Sequence, residues 1–375
     1  MKMSFIKKII YNLIAIRNYL SLSKKIALIY RSLPFKIEIA PEQFGIHRNI
    51  WGRLNSKPNL KWYKTYASIN QIDDPRYITE IDYYNKVEPV LNNRTFSEAY
   101  CDKNFYHKYL DKNLLPDVYL RNIHGVYYTV EYKIINNLSD VDYYIPKEAN
   151  KIIVKKAVDS GGGHGVDLFT KHENAWINKD GNVLTRKYLE QIFIKNFLIQ
   201  EYIDQHPFYI RFNASSVNTV RLLTYRSVKD NEIYLLQAVL RIGSPGSFVD
   251  NQASGGIACG IESGGKPNYF AVNKKGEKFE NYNDIVFKDL EPLFKYKEIV
   301  NIALTIAKAY HYHRLLGFDF CIDITGSIKL IEINNKNNEI NFYQMNNGPL
   351  FKDYTNEIIE YCTRTKKTVC IDFDI

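Results

Sequence analysis

The stretch Gly317-Phe318-Asp319-Phe320-Cys321-Ile322-Asp323-Ile324-Thr325-Gly326-Ser327-Ile328-Lys329-Leu330-Ile331-Glu332-Ile333-Asn334-Asn335 reads as two β-strands joined by a turn at Thr325-Gly326-Ser327. Apolar and polar residues alternate on both sides of a glycine, which is the hairpin pattern. Asp319 stands between Phe318 and Phe320 on the first strand, and on the second Leu330 and Ile331 lead to Glu332, Ile333 and Asn334. If the strands pair across that turn, Asp319, Glu332 and Asn334 converge at one end of the hairpin. Two carboxylates and an amide oxygen are the hard donors that Mg²⁺ takes when it also holds nucleotide phosphates. Acids on a solvated strand face are the plain alternative, although Asp and Glu are depleted in strands.

Working outward, a chain of 375 residues, 45% apolar and 24% charged, has room for two or three packed units. The 30 tyrosines carry no functional meaning. The net charge of +9 is unevenly placed, because residues 1–37 hold eight Lys or Arg and no acid. That distribution argues for a basic N-terminal arm and against a nucleic-acid surface spread over the protein. Five scattered cysteines with no CxxC fit a reducing cytoplasm, with Cys321 in the core. Residues 1–31 place Ile9, Ile10, Leu13, Ile16 and Leu20 at helical spacing among lysines. The uncharged run at 9–16 is far below the ~20 residues that span a bilayer, and no signal-peptide cleavage site follows. Such a helix fits peripheral contact with an anionic inner membrane face, and it equally fits packing on the body with a solvated basic face.

Residues 41–115 read as mostly helical, and Trp51 and Trp62 in this region carry no recognisable chemistry. A helical segment begins at Asp102-Lys103-Asn104, with Asp102 as N-cap. A hairpin turning near Gly125 follows. The next informative string is Lys151-Ile152-Ile153-Val154-Lys155-Lys156, then Asp159-Ser160-Gly161-Gly162-Gly163-His164-Gly165-Val166. It is a strand, a glycine loop and a second strand. Glycine lets backbone N–H groups approach phosphate oxygens closely, and Lys155 can neutralise phosphate charge. The loop is neither a Walker loop nor GxGxxG before a helix, and a glycine-rich surface turn reads the same way. The strand at 197–203 ends in Gln200-Glu201-Tyr202-Ile203. Arg221 and Arg241 sit on otherwise apolar strands, where a cation is either paired or aimed at a phosphate or carboxylate. Residues 285–314 read as largely helical, with His311 and His313 as surface residues near its end. A helix at 354–361 and a strand at 369–373 close the chain.

The hairpin spacing, with thirteen residues from Asp319 to Glu332 and then Glu332-Ile333-Asn334, resembles the metal hairpin of the ATP-grasp superfamily. The other signals fall in that family's order over about residues 100–345. Three blocks resemble one branch, the sugar-transfer-associated ATP-grasp family: Lys155 through Val166, Ser215-Ser216-Val217-Asn218-Thr219, and Val249-Asp250-Asn251 with Gly255-Gly256-Ile257. The chain departs from that pattern in Lys155-Lys156 where Lys-Pro is usual, and in His164 where a Lys is common. After Asn335 it has Lys336-Asn337-Asn338-Glu339 in place of a Pro-Gly turn.

The resemblance implies an α+β ATP-grasp fold, two α+β subdomains clamping ATP, with a helical N-terminal extension. Its expected divisions are an arm at 1–40, a helical region at 41–115, a nucleotide lid at 116–204 and a core at 205–375. It implies that Lys103, Lys155, Ser160, Gly161, Gly162, Gly163, His164 and Gly165 serve the phosphates. Gln200 and the backbone of Glu201, Tyr202 and Ile203 would serve the adenine, and Asn218 belongs to the nucleotide set. Asp319, Glu332 and Asn334 would hold Mg²⁺, with Lys155, Arg221 and Arg241 catalytic. The implied reaction is ATP-dependent ligation of a carboxylate to an amine on a sugar acid or glycan precursor. A sugar or polyol kinase on the same residues is the alternative, and a non-catalytic partner of polysaccharide assembly is a third reading. A glycosyltransferase is disfavoured, since no Asp-x-Asp precedes a nucleotide-sugar-like fold and Asp372-Phe373-Asp374 sits at the extreme C-terminus.

Overall fold

The computed structural model describes residues 2–54, 57–158, 165–173, 175–247 and 255–367, with side chains from Ile9 onward. Two antiparallel sheets carry the fold. The first holds β1 (Val118–Ile123), β2 (Val126–Tyr128), β3 (Lys151–Lys156), β4 (Val166–His172), β5 (Ala175–Asn178) and β6 (Phe197–Glu201), in the order β2-β1-β6-β3-β4-β5. β7 (Thr219–Arg226), β8 (Ile233–Ile242), β9 (Ile257–Ile261), β10 (Pro267–Asn273) and β11 (Lys278–Phe279) belong to the second. β12 (Asn281–Tyr282) and β13 (Ile285–Val286) pair with each other. β14 (Leu315–Ile322) and β15 (Ile328–Asn334) complete the second sheet, in the order β11-β10-β9-β8-β7-β14-β15.

Side chains alternate across a strand, so register decides which residues share a face. In the first sheet Ile152, Val154, Phe197 and Ile199 enter a core with Phe169, Trp176 and Leu189. Lys155 pairs with Leu198, which pairs in turn with Arg121. That row lies on the opposite face. Lys156, opposite Phe197, turns to the core side. In the second sheet Val220, Leu222, Phe318 and Phe320 pack under the helix Tyr296–Lys308. The other face has Leu223, Tyr225, Val239 and Leu315 against Trp51, Tyr83, Phe342 and Ile358. Arg221 and Asp319 share that second face, because they alternate with the first set.

The hairpin forms as its pattern dictates. Gly317 pairs with Asn334 and Asp319 with Glu332, and the turn is closed by Gly326 at φ 85 with Asp323 accepting from the backbone of Thr325 and Ser327. A Cβ on Gly317 would overlap Asn338 Oδ1, so a larger residue there would have to displace the Asn338 side chain. Its base is held from an element that shows nothing in the sequence. Asn92, fully buried, donates to Leu315 O and Asn335 O at 2.8 Å, and accepts from the backbone N–H of Arg314 and Leu315 at 2.9 Å. Asn92→Ala is expected to cost about 2–4 kcal/mol, because buried polar groups lose their partners at about 1–3 kcal/mol each. A lowered urea midpoint with an unchanged slope is the check.

Two expectations need correction. Only Tyr296–Lys308 of residues 285–314 is α-helical. β13 and a 3-10 turn at Phe287–Asp289 precede it, then Pro292, and Lys295 enters at φ 59. A proline removes a donor and a left-handed residue breaks the run, so the helix starts after both. His313 is buried rather than superficial, with Nε2 3.3 Å from Asn335 Nδ2 and 3.4 Å from Ser97 Oγ, whereas His311 is exposed. The strand expected at 369–373 and the Asp372-Phe373-Asp374 string lie outside the described residues.

Candidate active site

Four cations, Arg221 and Arg241 from the second sheet, Lys155 from β3 and Lys103 from a turn beside it, gather near two carboxylates. From the second sheet, Arg221 lies opposite Asp319 and Asp319 opposite Glu332, so the three form one row across β7, β14 and β15. The Arg221 guanidinium donates through Nε and Nη2 to both oxygens of Asp319. Arg241 Nη1 lies 3.4 Å from the same carboxylate. Burial pushes the Asp319 carboxyl up, but Arg221 and Arg241 more than reverse this and hold it below the usual carboxylate range. Asn334 Nδ2 is 3.4 Å from Asp319 Oδ2.

Two lysines arrive from the first sheet's side. Lys103 opens a short 3-10 turn, Lys103–Phe105, whose N-cap Asp102 accepts from Asn104 N–H at 2.9 Å. Its own N–H donates to Ala157 O at 3.1 Å, which ties it to the end of β3. Lys103 Nζ then reaches Glu332 Oε1 at 2.7 Å. Burial raises the Glu332 carboxyl, Lys103 lowers it, and the net is below the ordinary value despite neighbouring Asp319. Lys155, also buried, has Nζ 3.5 Å from Ile331 O. Burial and the charge of Lys103 push it down to about 7. His107 feels the same excess. Burial first, then Arg121, Lys112, Lys155 and Lys329, drive it down to about 4.

The donor set of Asp319, Glu332 and Asn334 suits a hard divalent cation in kind. Two like charges stand directly opposed, which itself favours a cation between them. Among the described residues no group of three or more His, Cys, Asp and Glu is placed to hold a metal ion, and the amide of Asn334 is the further polar group beside the two acids. Lys103, Arg221 and Arg241 engage these acids as the structure stands.

Other expected positions fare differently. Glu201 N–H donates to Asp117 O at 2.8 Å and its carboxylate accepts from Asp117 N–H at 3.0 Å, so its amide is already used. Gln200 and Ile203 are buried, and Tyr202 lies under Lys151. Asn218 is fully buried, its Nδ2 donating to Gln205 Oε1, Tyr209 O and Asn213 O at 2.9 Å. Through its Nδ2 it braces the loop before β7, while its Oδ1 has no partner among the described residues. Gly165 accepts from Lys156 N–H at 2.8 Å. Ser160, Gly161, Gly162, Gly163 and His164 lie outside the described residues, as does the Val249-Asp250-Asn251 block.

Phe342 and Tyr343 carry no mark of the site in the sequence. The Arg221 guanidinium lies 5.8 Å from the Phe342 ring. Tyr343 is buried, feels Arg221, Asp319 and Arg241, and has a hydroxyl with no partner among the described residues. Only the fold brings the helix Asn341–Asn347 to this face, and no local motif announces it.

A family model described as sugar-transfer associated ATP-grasp matches residues 82–359, well over half of the chain. Among curated proteins none matches. Solved structures similar to the chain include N5-carboxyaminoimidazole synthetase from Staphylococcus aureus with ADP, at 12% identity and TM-score 0.36, covering 74% of this chain and 52% of that one. L-amino acid ligase from Bacillus licheniformis has 12% identity and TM-score 0.36, over 74% and 48%. D-alanine-D-alanine ligase from Coxiella burnetii has 11% identity and TM-score 0.41, over 73% and 62%. The chain spans about half the length of the first of these.

Proposed function

The chain belongs to the sugar-transfer associated ATP-grasp family, and on that premise we propose that it is an ATP- and Mg²⁺-dependent ligase joining a carboxylate to an amine through an acyl-phosphate. The carboxylate is a sugar acid or related glycan precursor in surface-polysaccharide assembly, and the amine an amino acid or similar small molecule. One observation carries the reading. Lys103, Lys155, Arg221 and Arg241 outnumber Asp319 and Glu332 in a largely buried cluster. Cations gathered at this density in a largely buried site suit a polyanion, and a nucleotide triphosphate is such an anion.

Lys103 and Lys155 hold the phosphates from the lid side, and Arg221 and Arg241 hold the transferring phosphoryl group from the core sheet. That spreading of charge is most of what phosphoryl transfer asks of a protein. Mg²⁺, held by Asp319, Glu332 and Asn334, would neutralise phosphate charge when bound. A carboxylate oxygen attacks the γ-phosphorus and the bond to ADP breaks. The amine then attacks the acyl carbon, inorganic phosphate leaves and one proton is released. We place this reaction in the cytoplasm, with residues 1–31 keeping the enzyme near a lipid-linked substrate.

The test is ³¹P NMR of the protein with Mg-ATP and an extract of polar metabolites and nucleotide sugars, against Glu332→Gln. Growth of inorganic phosphate with ADP, absent in the variant, is the expected result. A new phosphoester without free phosphate would replace the ligase by a kinase.

A further inference from the structure

Among its described side chains the N-terminal helix Lys2–Ser32 has two apolar faces, and one of them packs on described residues of the body while the other is exposed. Ile26, Ile29 and Leu33 are buried against Trp62, Tyr66 and Ile69. Further along, Tyr11 donates to Asn85 O at 2.7 Å and lies under Lys367 at 4.0 Å, so the helix is fastened near both ends of its described part. At about 100° per residue, Ile9, Leu13, Ile16 and Leu20 fall in one stripe on the side away from these contacts. All four are exposed, Leu13 at 61% and Leu20 at 64%. The stripe is roughly 17 Å long, at about 1.5 Å per residue. Beside it Arg17, Lys24 and Arg31, also exposed, recur at seven-residue intervals as a parallel basic ridge.

We propose that this outer face docks on an anionic lipid surface, with the Ile9-Leu13-Ile16-Leu20 stripe in the acyl boundary and the Arg17-Lys24-Arg31 ridge at the phosphates. An apolar stripe flanked by cations is what an in-plane amphipathic helix presents to such a surface. Charge decides the occupant. Residues 1–37 carry eight Lys or Arg and no acid, so two copies of this arm repel and an anionic surface attracts. No helix of the described residues is long and apolar enough to cross a membrane, which leaves this face lying on the surface rather than passing through it. The inference gives the membrane part of the proposed function a definite surface, and it is independent of the ligase chemistry.

The experiment is co-sedimentation of the full chain with vesicles of phosphatidylcholine alone and of phosphatidylcholine with phosphatidylglycerol. The same runs include Leu13→Glu/Leu20→Glu and a chain ending at Lys367. Binding is expected only with the anionic lipid, weakened by salt, and reduced about tenfold or more in the double variant. ADP binding and the melting temperature of that variant should match the parent, since neither leucine is in the site or the core. Absence of binding to anionic vesicles, or binding that the double variant keeps, overturns the proposal. Self-association that the double variant abolishes assigns the face to a second copy instead. Binding seen only in the chain ending at Lys367 assigns it to the chain's own residues 368–375. Failure of the ligase reading would show in the ³¹P experiment as ADP formed without inorganic phosphate or as no turnover, leaving the vesicle result untouched.

Discussion

Asp319→Asn is expected to reduce turnover by about 10²–10³-fold or more and to lower stability by about 3–5 kcal/mol. The two losses have different origins in one carboxylate. Asp319 is almost wholly buried and receives Arg221 on both oxygens, with Arg241 at 3.4 Å. Removing its charge takes from two buried guanidinium groups the carboxylate they share, and breaking a buried pair from one side costs far more than the pair contributed. The catalytic loss follows from the proposed metal set, which would keep one carboxylate. Asp319→Asn/Arg221→Met separates the two effects. Deleting both charges should restore much of the urea midpoint while ADP formation stays absent. Pyrophosphate should raise the melting temperature of Asp319→Asn by more than that of the parent, because an anion replaces the missing carboxylate. Unchanged stability in the single variant would contradict the ion pair. Retained turnover would remove Asp319 from the metal set.

The same residues explain why so much of the site was legible. Asp319, Glu332 and Asn334 lie within one hairpin, and local alternation fixes their relative positions once the turn at Gly326 is recognised. Arg221 and Arg241 stood out because a cation in an apolar strand needs a reason, and the reason observed is Asp319. Which lysine turns inward was not legible, because adjacent lysines look alike in text. Register against β6 separates them, with Lys155 opposite Leu198 and Lys156 opposite Phe197. Asn92 and His313 were invisible for another reason. Asn92 supports the hairpin from a distant segment, His313 stands two residues before β14 and meets Asn335 beyond β15, and a polar residue destined for burial carries no local mark. The family pattern places Asn218 and Glu201 in the nucleotide set, and it does not show the bonds that the Asn218 Nδ2 and the Glu201 N–H make to neighbouring loops. Pattern gives position along the chain, and hydrogen-bond partners come only from the fold.

Lys155→Met should make the protein more stable and less able to bind nucleotide. Lys155 is buried, and desolvation followed by Lys103 brings it from 10.5 down to about 7. The folded state therefore binds fewer protons than the unfolded chain between about pH 7 and the ordinary lysine range, and stability rises with pH across that window. Below about 7 the cost of burying the ammonium is present in full. A methionine of similar reach has no such cost, so the variant should gain on the order of 2–4 kcal/mol near pH 6.5 and lack the upward slope. Nucleotide binding responds in the opposite sense. A bound phosphate favours the protonated amine, so affinity for ADP in the parent should fall as pH rises above about 7, approaching tenfold per unit. In Lys155→Met the affinity should drop by about 10²-fold and this part of its pH dependence should vanish. Urea melts at several pH values and titration calorimetry with ADP measure both. A less stable variant would make Lys155 a structural residue, and a parent affinity insensitive to pH above 7 would place the phosphates elsewhere. Opposite movement of stability and affinity would mark a cation kept in the fold at a cost, as stability traded for activity requires.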